Sequence, residues 1–242
     1  MDKYGIIGNP LGHSFSKGFF TEKFAREGID AEYLNFQIPE IGKLTEVLQE
    51  NLELRGINVT LPYKTEVIPF LDELSDEARE IGAVNVVQIR NGHLKGFNSD
   101  IIGFTRSIQP LLKPHHRKAL ILGTGGASRA IRVGLTRLGL KWKYVSRTPR
   151  EGMITYEDIT AETLREYEVI VNCSPVGMFP KVDECPAIPY EFLTQDNLLY
   201  DLVYNPENTL FMKKGALQGA VVKNGLEMLH LQAIASWEFW NE

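Results

Sequence analysis

Within one short segment, Asn58-Val59-Thr60-Leu61-Pro62-Tyr63-Lys64 sets an amide, a hydroxyl and a lysine around a turn stiffened by Pro62. Farther along, Gly96-Phe97-Asn98-Ser99-Asp100 ends in a carboxylate. A lysine and an aspartate gathered in one cleft can pass a proton to or from a hydroxyl. A third segment, Gly123-Thr124-Gly125-Gly126-Ala127-Ser128-Arg129, follows the apolar run Ala119-Leu120-Ile121-Leu122. It reads as a strand turning through glycines into a helix whose first amides cradle the pyrophosphate of a dinucleotide. Proton-transfer groups together with a hydride carrier point to redox chemistry on an alcohol or a ketone.

The letters of the glycine loop carry less than its placement. The usual fingerprint has glycine at its first, third and sixth positions; here these are Gly123, Gly125 and Ser128. A purely structural strand-to-helix turn has the same letters. The end of the next strand adds information. A dinucleotide with a free ribose hydroxyl asks for an acid there, and one with a 2′-phosphate asks for arginine. The chain offers Ser146-Arg147-Thr148-Pro149-Arg150, with no carboxylate before Glu151. Guanidinium forks and hydroxyls suit a phosphate, which favours NADP over NAD, although surface arginines are also ordinary solvated charges.

Short apolar runs alternate with helical spacing along the 242 residues, the pattern of an α/β protein with a mostly parallel sheet. Tyr4–Gly8, Glu32–Phe36 and Gly56–Val59 read as strands, and Asn91-Gly92 as the turn of a hairpin. Lys118–Leu122, Lys141–Ser146, Val169–Asn172 and Leu198–Asp201 read as further parallel strands, and ligands of such sheets gather beyond the carboxyl ends of the strands. The stretch between Thr148 and Cys173 is lean, so a peripheral βα unit is expected to be trimmed. The expected domains are 1–101 with 225–242 and, between them, 102–224, the last helix returning to the first domain.

A hydrophobic content of 43% suits a packed core, and a formal net charge of −5 argues against nucleic acid or an anionic membrane surface as partner. No apolar stretch approaches the ~20 residues of a membrane span, and the start, Met1-Asp2-Lys3-Tyr4-Gly5, lacks the basic head and apolar run of a secretion signal. Cys173 and Cys185, the two cysteines, form no metal-ligand pattern and suit a reducing cytoplasm. His115-His116 reads as an exposed loop pair.

Beyond these features the chain resembles the shikimate dehydrogenases. The matching pieces run in order along its whole length: Ser14-Phe15-Ser16, Asn58 to Lys64, Gly82-Ala83-Val84-Asn85, Asn98-Ser99-Asp100 with Gly103-Phe104, Gly123 to Arg129, Asn172 to Met178, Asp201 to Pro206, and Gly225-Leu226-Glu227-Met228-Leu229 with Gln232. The resemblance implies a two-domain α/β fold, an N-terminal substrate domain and a Rossmann-like doubly wound parallel sheet for NADP. It implies reduction of 3-dehydroshikimate to shikimate with NADPH. Lys64 matches the family's catalytic lysine and Asp100 its paired aspartate. Ser14 and Ser16 match contacts to the substrate carboxylate, where a helix N-terminus offers unpaired amides; Ser16 can equally be a plain N-cap. Thr60, Asn85 and Gln232 match contacts to ring hydroxyls, and Tyr204 a residue near the substrate. Gly123, Thr124, Gly125, Gly126 and Ala127 match the pyrophosphate cradle; Ser146, Arg147, Thr148 and Arg150 the 2′-phosphate site; Leu202 and Gly225 the nicotinamide lining.

Three positions depart from the family's pattern: Lys17 stands where proline often follows the second serine, Ser146 where asparagine often precedes the cofactor arginine, and Ser128 at the third fingerprint glycine. None removes a group that the chemistry requires. Two other readings remain: a quinate/shikimate dehydrogenase using NAD, which asks for an acid at Arg147, and a catalytically silent NADP-binding regulator, which is expected to lose Lys64 or Asp100. The expected state is a monomer or homodimer.

Overall fold

The structure, a computed structural model, describes residues 1–12 and 15–242. The chain forms two compact units, Met1–Ser99 with Gln232–Glu242, and Asp100–Leu231. The sequence reading set residues 225–231 with the first unit; by their contacts they group with the second.

The first unit is built on a six-stranded mixed sheet. Its strands are β1 (Asp2–Gly8), β2 (Ala31–Gln37), β3 (Leu54–Val59), β4 (Glu73–Leu74), β5 (Val86–Arg90) and β6 (His93–Phe97), in the order β2-β1-β3-β5-β6-β4. β1 is parallel to β2 and β3, whereas β5 runs antiparallel to both β3 and β6. The hairpin between β5 and β6 turns at Asn91 (φ 50°) and Gly92 (φ 79°), the paired positive φ values of a tight turn that follows the twist of its strands. Helices α1 (Phe15–Glu27), α2 (Leu44–Glu50) and α3 (Asp76–Ile81) connect these strands. Ile7, Ile57, Val59 and Val87 belong to one hydrophobic cluster, with Leu44 and Val47 of α2. Tyr4, Phe20, Phe24, Tyr33 and Trp240 form another, with the aromatic rings of Phe20 and Tyr33 stacked 4.9 Å apart. Trp240 anchors the last helix by donating its indole N–H to the Val87 carbonyl at 3.1 Å.

The second unit holds α4 (Asp100–Ile108), β7 (Lys118–Leu122), α5 (Gly126–Arg137), β8 (Lys141–Ser146), β9 (Ile154–Thr155), α6 (Ala161–Glu166), β10 (Val169–Asn172), β11 (Leu198–Asp201), α7 (Leu210–Leu217), β12 (Val221–Lys223) and the start of α8 (Leu226–Asn241), up to Leu231. Its six strands are all parallel, in the order β12-β11-β10-β7-β8-β9. That is the doubly wound dinucleotide order, with its switch point between β7 and β10. β10 and β11 are buried at every residue, which is why they read as near-continuous apolar runs. Separate clusters, one with Leu120, Ile170 and Leu199 and the other with Ile121, Val171 and Tyr200, show cover on both faces.

The expected loss of a peripheral βα unit took a different form. All six strands are present, β9 shortened to two residues, and the connection from β10 to β11 carries only the 3-10 turn Tyr190–Phe192 in place of a helix. His116 also departs from expectation: it is buried, its Nδ1 accepts from the Lys113 amide and its Nε2 faces the Asp196 carbonyl. Among the described residues no helix is long and apolar enough to cross a membrane.

Candidate functional site

In the first unit, polar side chains collect around the ends of β3, β5 and β6 and on α8. The Tyr33 hydroxyl donates to Asn58 Oδ1 at 2.7 Å, and Asn58 Nδ2 donates to Ser236 Oγ at 3.0 Å. Asn85 Oδ1 accepts the Ser99 amide at 2.7 Å, while its Nδ2 reaches Ser99 Oγ at 3.0 Å and Gln232 Oε1 at 3.2 Å. Ser99 Oγ and Ser236 Oγ lie 3.2 Å apart and close the circuit. Asn58, Asn85, Ser99 and Ser236 are buried and Gln232 is half-buried, so the network meets solvent at Gln232. Every member is an uncharged amide or hydroxyl. Among the described residues no buried side-chain nitrogen or oxygen lacks a partner. A fully paired network in a low dielectric fixes which way each amide faces.

The same strand ends hold the segments expected to do proton chemistry. The Lys64 carbonyl accepts the Val84 amide at 2.7 Å. Asn98 Nδ2 donates to the Ala83 carbonyl at 2.9 Å, and the Asn85 amide donates to Phe97 O at 3.1 Å. The stretch Ala83-Val84-Asn85 therefore holds Lys64 by its main chain on one side and the residues leading into Asp100 on the other. Asp100 is buried and opens α4; Lys64 is half-buried. Thr60 is held by its amide on Ile7 O at 2.9 Å and accepts the Tyr63 amide, forming the turn toward Lys64. Ser16 is buried in the first turn of α1, within hydrogen-bond reach of the Tyr33 hydroxyl. Ser14 lies outside the described residues.

In the second unit, Gly123 leaves β7 at φ 103°, a backbone state that side chains rarely adopt, and a Cβ there would lie 3.3 Å from the Ser174 amide nitrogen. Gly125 caps the N-terminus of α5, with open space where its side chain would stand. Thr124, Gly126 and Ala127 are half-buried around it. Ser128 is buried and its hydroxyl donates to Gly125 O at 2.7 Å, so the residue replacing the third glycine is paired inside the loop. At the end of β8 Ser146 is buried and accepts the Thr148 amide, while Arg147, Thr148 and Arg150 are exposed. Leu202 and Gly225 lie against each other: a Cβ on Gly225 would fall 2.2 Å from Leu202 O. Tyr204 is 37% exposed, and partial burial pushes its phenol pKa up. A bare backbone at Gly125, where α5 begins, and two exposed guanidiniums fit a dinucleotide with an added phosphate.

Comparison with known proteins agrees. Residues 6–87 match the shikimate dehydrogenase substrate binding domain. The shikimate dehydrogenase (NADP(+)) of Bacillus cytotoxicus is 36% identical over 98% of this chain and 91% of its own. The chain belongs to the shikimate dehydrogenase family. The solved shikimate dehydrogenase of Aquifex aeolicus superposes with a TM-score of 0.89 at 36% identity, covering 99% of this chain and 92% of that one. The Thermus thermophilus shikimate 5-dehydrogenase, solved in complex with NADP(H) and shikimate, gives 0.87 at 32% identity, with 99% and 93% covered.

One buried acid of the second unit was not among the site residues that the sequence suggests. Asp201, fully buried at the end of β11, accepts Asn172 Nδ2 at 2.9 Å and the Val203 amide at 3.0 Å on Oδ1, and the Thr209 hydroxyl at 2.7 Å on Oδ2. Burial pushes its carboxyl up to about 6, against the pull of those three donors. The available signal was positional: Asn172 and Asp201 end two apolar strands, and the register pairs them directly.

Proposed function

We propose that this chain is an NADP-dependent shikimate dehydrogenase that reversibly reduces 3-dehydroshikimate to shikimate, a step toward chorismate and the aromatic amino acids. In this reading the first compact unit binds the substrate and the second the cofactor. The observation that carries it is the Asn58–Asn85–Ser99–Gln232–Ser236 network. Fixed neutral donors and acceptors suit an uncharged polyol ring, because hydroxyls both give and take hydrogen bonds. Bound NADPH supplies the hydride.

The residues of the chain do the rest. Lys64, as an ammonium, donates a proton to the carbonyl oxygen as it gains negative charge; in oxidation the neutral amine takes that proton back. Asp100 holds the lysine and orients the same oxygen. Ser14 and Ser16 take the substrate carboxylate, Thr60, Asn85 and Gln232 its ring hydroxyls, and Tyr204 borders the ring. Gly123 to Ala127 receive the pyrophosphate, and Arg147 with Ser146, Thr148 and Arg150 the 2′-phosphate; Leu202 and Gly225 line the nicotinamide. Free Cys173 and Cys185 and the net charge of −5 support a cytoplasmic enzyme, monomer or homodimer, that binds no nucleic acid.

Lys64→Ala tests this reading. Turnover of shikimate with NADP⁺ falls by roughly two orders of magnitude or more, while shikimate still binds, as for loss of a proton-transfer group. Asp100→Asn is severely slowed as well. Near-normal turnover in Lys64→Ala removes the assignment, and a silent Asp100→Asn reduces Asp100 to a structural partner.

A further inference from the structure

Asp201 sits where three loops of the second unit are tied. Its Oδ1 joins Asn172 to the Val203 amide, and its Oδ2 takes the Thr209 hydroxyl that caps α7. Asn172 continues the chain of bonds: its Oδ1 accepts the Ser174 amide at 3.1 Å and the Ser174 hydroxyl at 2.6 Å, and its Nδ2 also reaches Val176 O at 3.3 Å. The Ser174 backbone is what the missing side chain of Gly123 makes room for. On the other side Val203 O accepts the Gly225 amide at 3.2 Å, and Gly225 packs on Leu202. One carboxylate thus stands between the pyrophosphate turn and the pair Leu202–Gly225.

We propose that Asp201 is a positioning residue for the dinucleotide: its Oδ1, shared by Asn172 and Val203, sets the loops after β10 and β11 at the spacing the cofactor requires. Asp201 itself is buried and acts through its hydrogen-bond partners. The part that matters is an acceptor oxygen at Oδ1, which asparagine also provides and alanine does not. The acceptor, and not the charge, is therefore the functional element. Asparagine offers its amide to Thr209, whose hydroxyl can accept in place of donating. The inference rests on the reading of the second unit as the NADP unit.

The test measures the dissociation constant of NADP⁺ by quenching of tryptophan fluorescence, with hydrogen exchange followed in residues 173–178 and 202–206. Asp201→Ala should weaken NADP⁺ roughly tenfold and raise exchange in both segments, leaving the calorimetric affinity for shikimate within twofold of wild type. Asp201→Asn should restore both affinity and protection. Should Asp201→Ala fail to fold, Thr209→Val carries the test: it removes one anchor of the carboxylate and should weaken NADP⁺ about threefold, with exchange raised in 202–206. The proposal is overturned if folded Asp201→Ala binds NADP⁺ within twofold of wild type, if Asp201→Asn is as weak as alanine, or, in the fallback case, if Thr209→Val is silent. The wild-type preference for NADP⁺ over NAD⁺ reports on the cofactor reading itself; the ratio of variant to wild type, taken on whichever nucleotide binds, reports on Asp201.

Discussion

Two buried polar networks, one in each unit, solve the same problem differently. In the first unit the members are all neutral, each amide and hydroxyl satisfied by another, and half-buried Gln232 faces outward. In the second the hub is a carboxylate, buried so deeply that its pKa rises to about 6 despite three donors. Neutral donors and acceptors cost little to bury when paired and suit discrimination among hydroxyls; a buried carboxyl is costly to charge but gathers several donors on its acceptor oxygens. The contrast matches the proposed partners: a polyol ring read at the network itself, and a nucleotide whose charge is met elsewhere, on Arg147 and Arg150, while the buried acid only holds loops.

The largest effect that can break this contrast is in the pH dependence of stability. A carboxyl that titrates near 6 in place of 3.8 has its charged form disfavoured by about 3 kcal/mol. Because the folded value is raised, the stabilisation from the protonated group is full below about pH 4 and is lost as pH rises through about 6. Asp201→Asn cannot titrate. The stability of Asp201→Asn relative to wild type, from urea unfolding, should therefore climb by about 2–3 kcal/mol between pH 4 and pH 7. A flat difference contradicts a buried, titrating hub.

The neutral network should behave otherwise. Asn85→Ala removes the acceptor of the Ser99 amide and should destabilise the protein by about 1–3 kcal/mol, the cost of an unsatisfied buried group. That loss should be the same at pH 5 and pH 8, and the Michaelis constant for shikimate should rise. A pH-dependent loss removes the distinction between the two networks. Smaller still, Arg147→Ala should weaken NADP⁺ by roughly tenfold, about one charge-assisted pair, and leave NAD⁺ nearly unchanged. Equal loss of both nucleotides contradicts the phosphate site.

Much of this was legible in the sequence because strand ends announce themselves. Apolar runs closing in Asn172 or Asp201, and the Gly123 loop after Leu122, mark carboxyl ends of parallel strands, where the six-stranded order puts the switch point. The Asn91-Gly92 hairpin was legible for the same local reason. Less local features were not. The partners of Asn58 and Asn85 include Ser236 and Gln232, far along the chain, and spacing carries no record of such pairs. The helix missing between β10 and β11 left no sign, because the lean stretch from Thr148 to Cys173 lies before it and holds the short β9 and α6, and a two-residue strand such as β9 is too short for any periodicity. Burial of His116 and Asp201 depends on what covers them, which no single residue type reveals.

The central claim is tested most directly by the specificity constants, kcat/KM, of the wild-type chain for shikimate and quinate, each with NADP⁺ and with NAD⁺. Shikimate with NADP⁺ should be the best pair, about tenfold or more above shikimate with NAD⁺, the worth of one charge-assisted phosphate contact, and above quinate with either nucleotide. A chain that prefers NAD⁺, or that oxidises quinate as well as shikimate, contradicts the account.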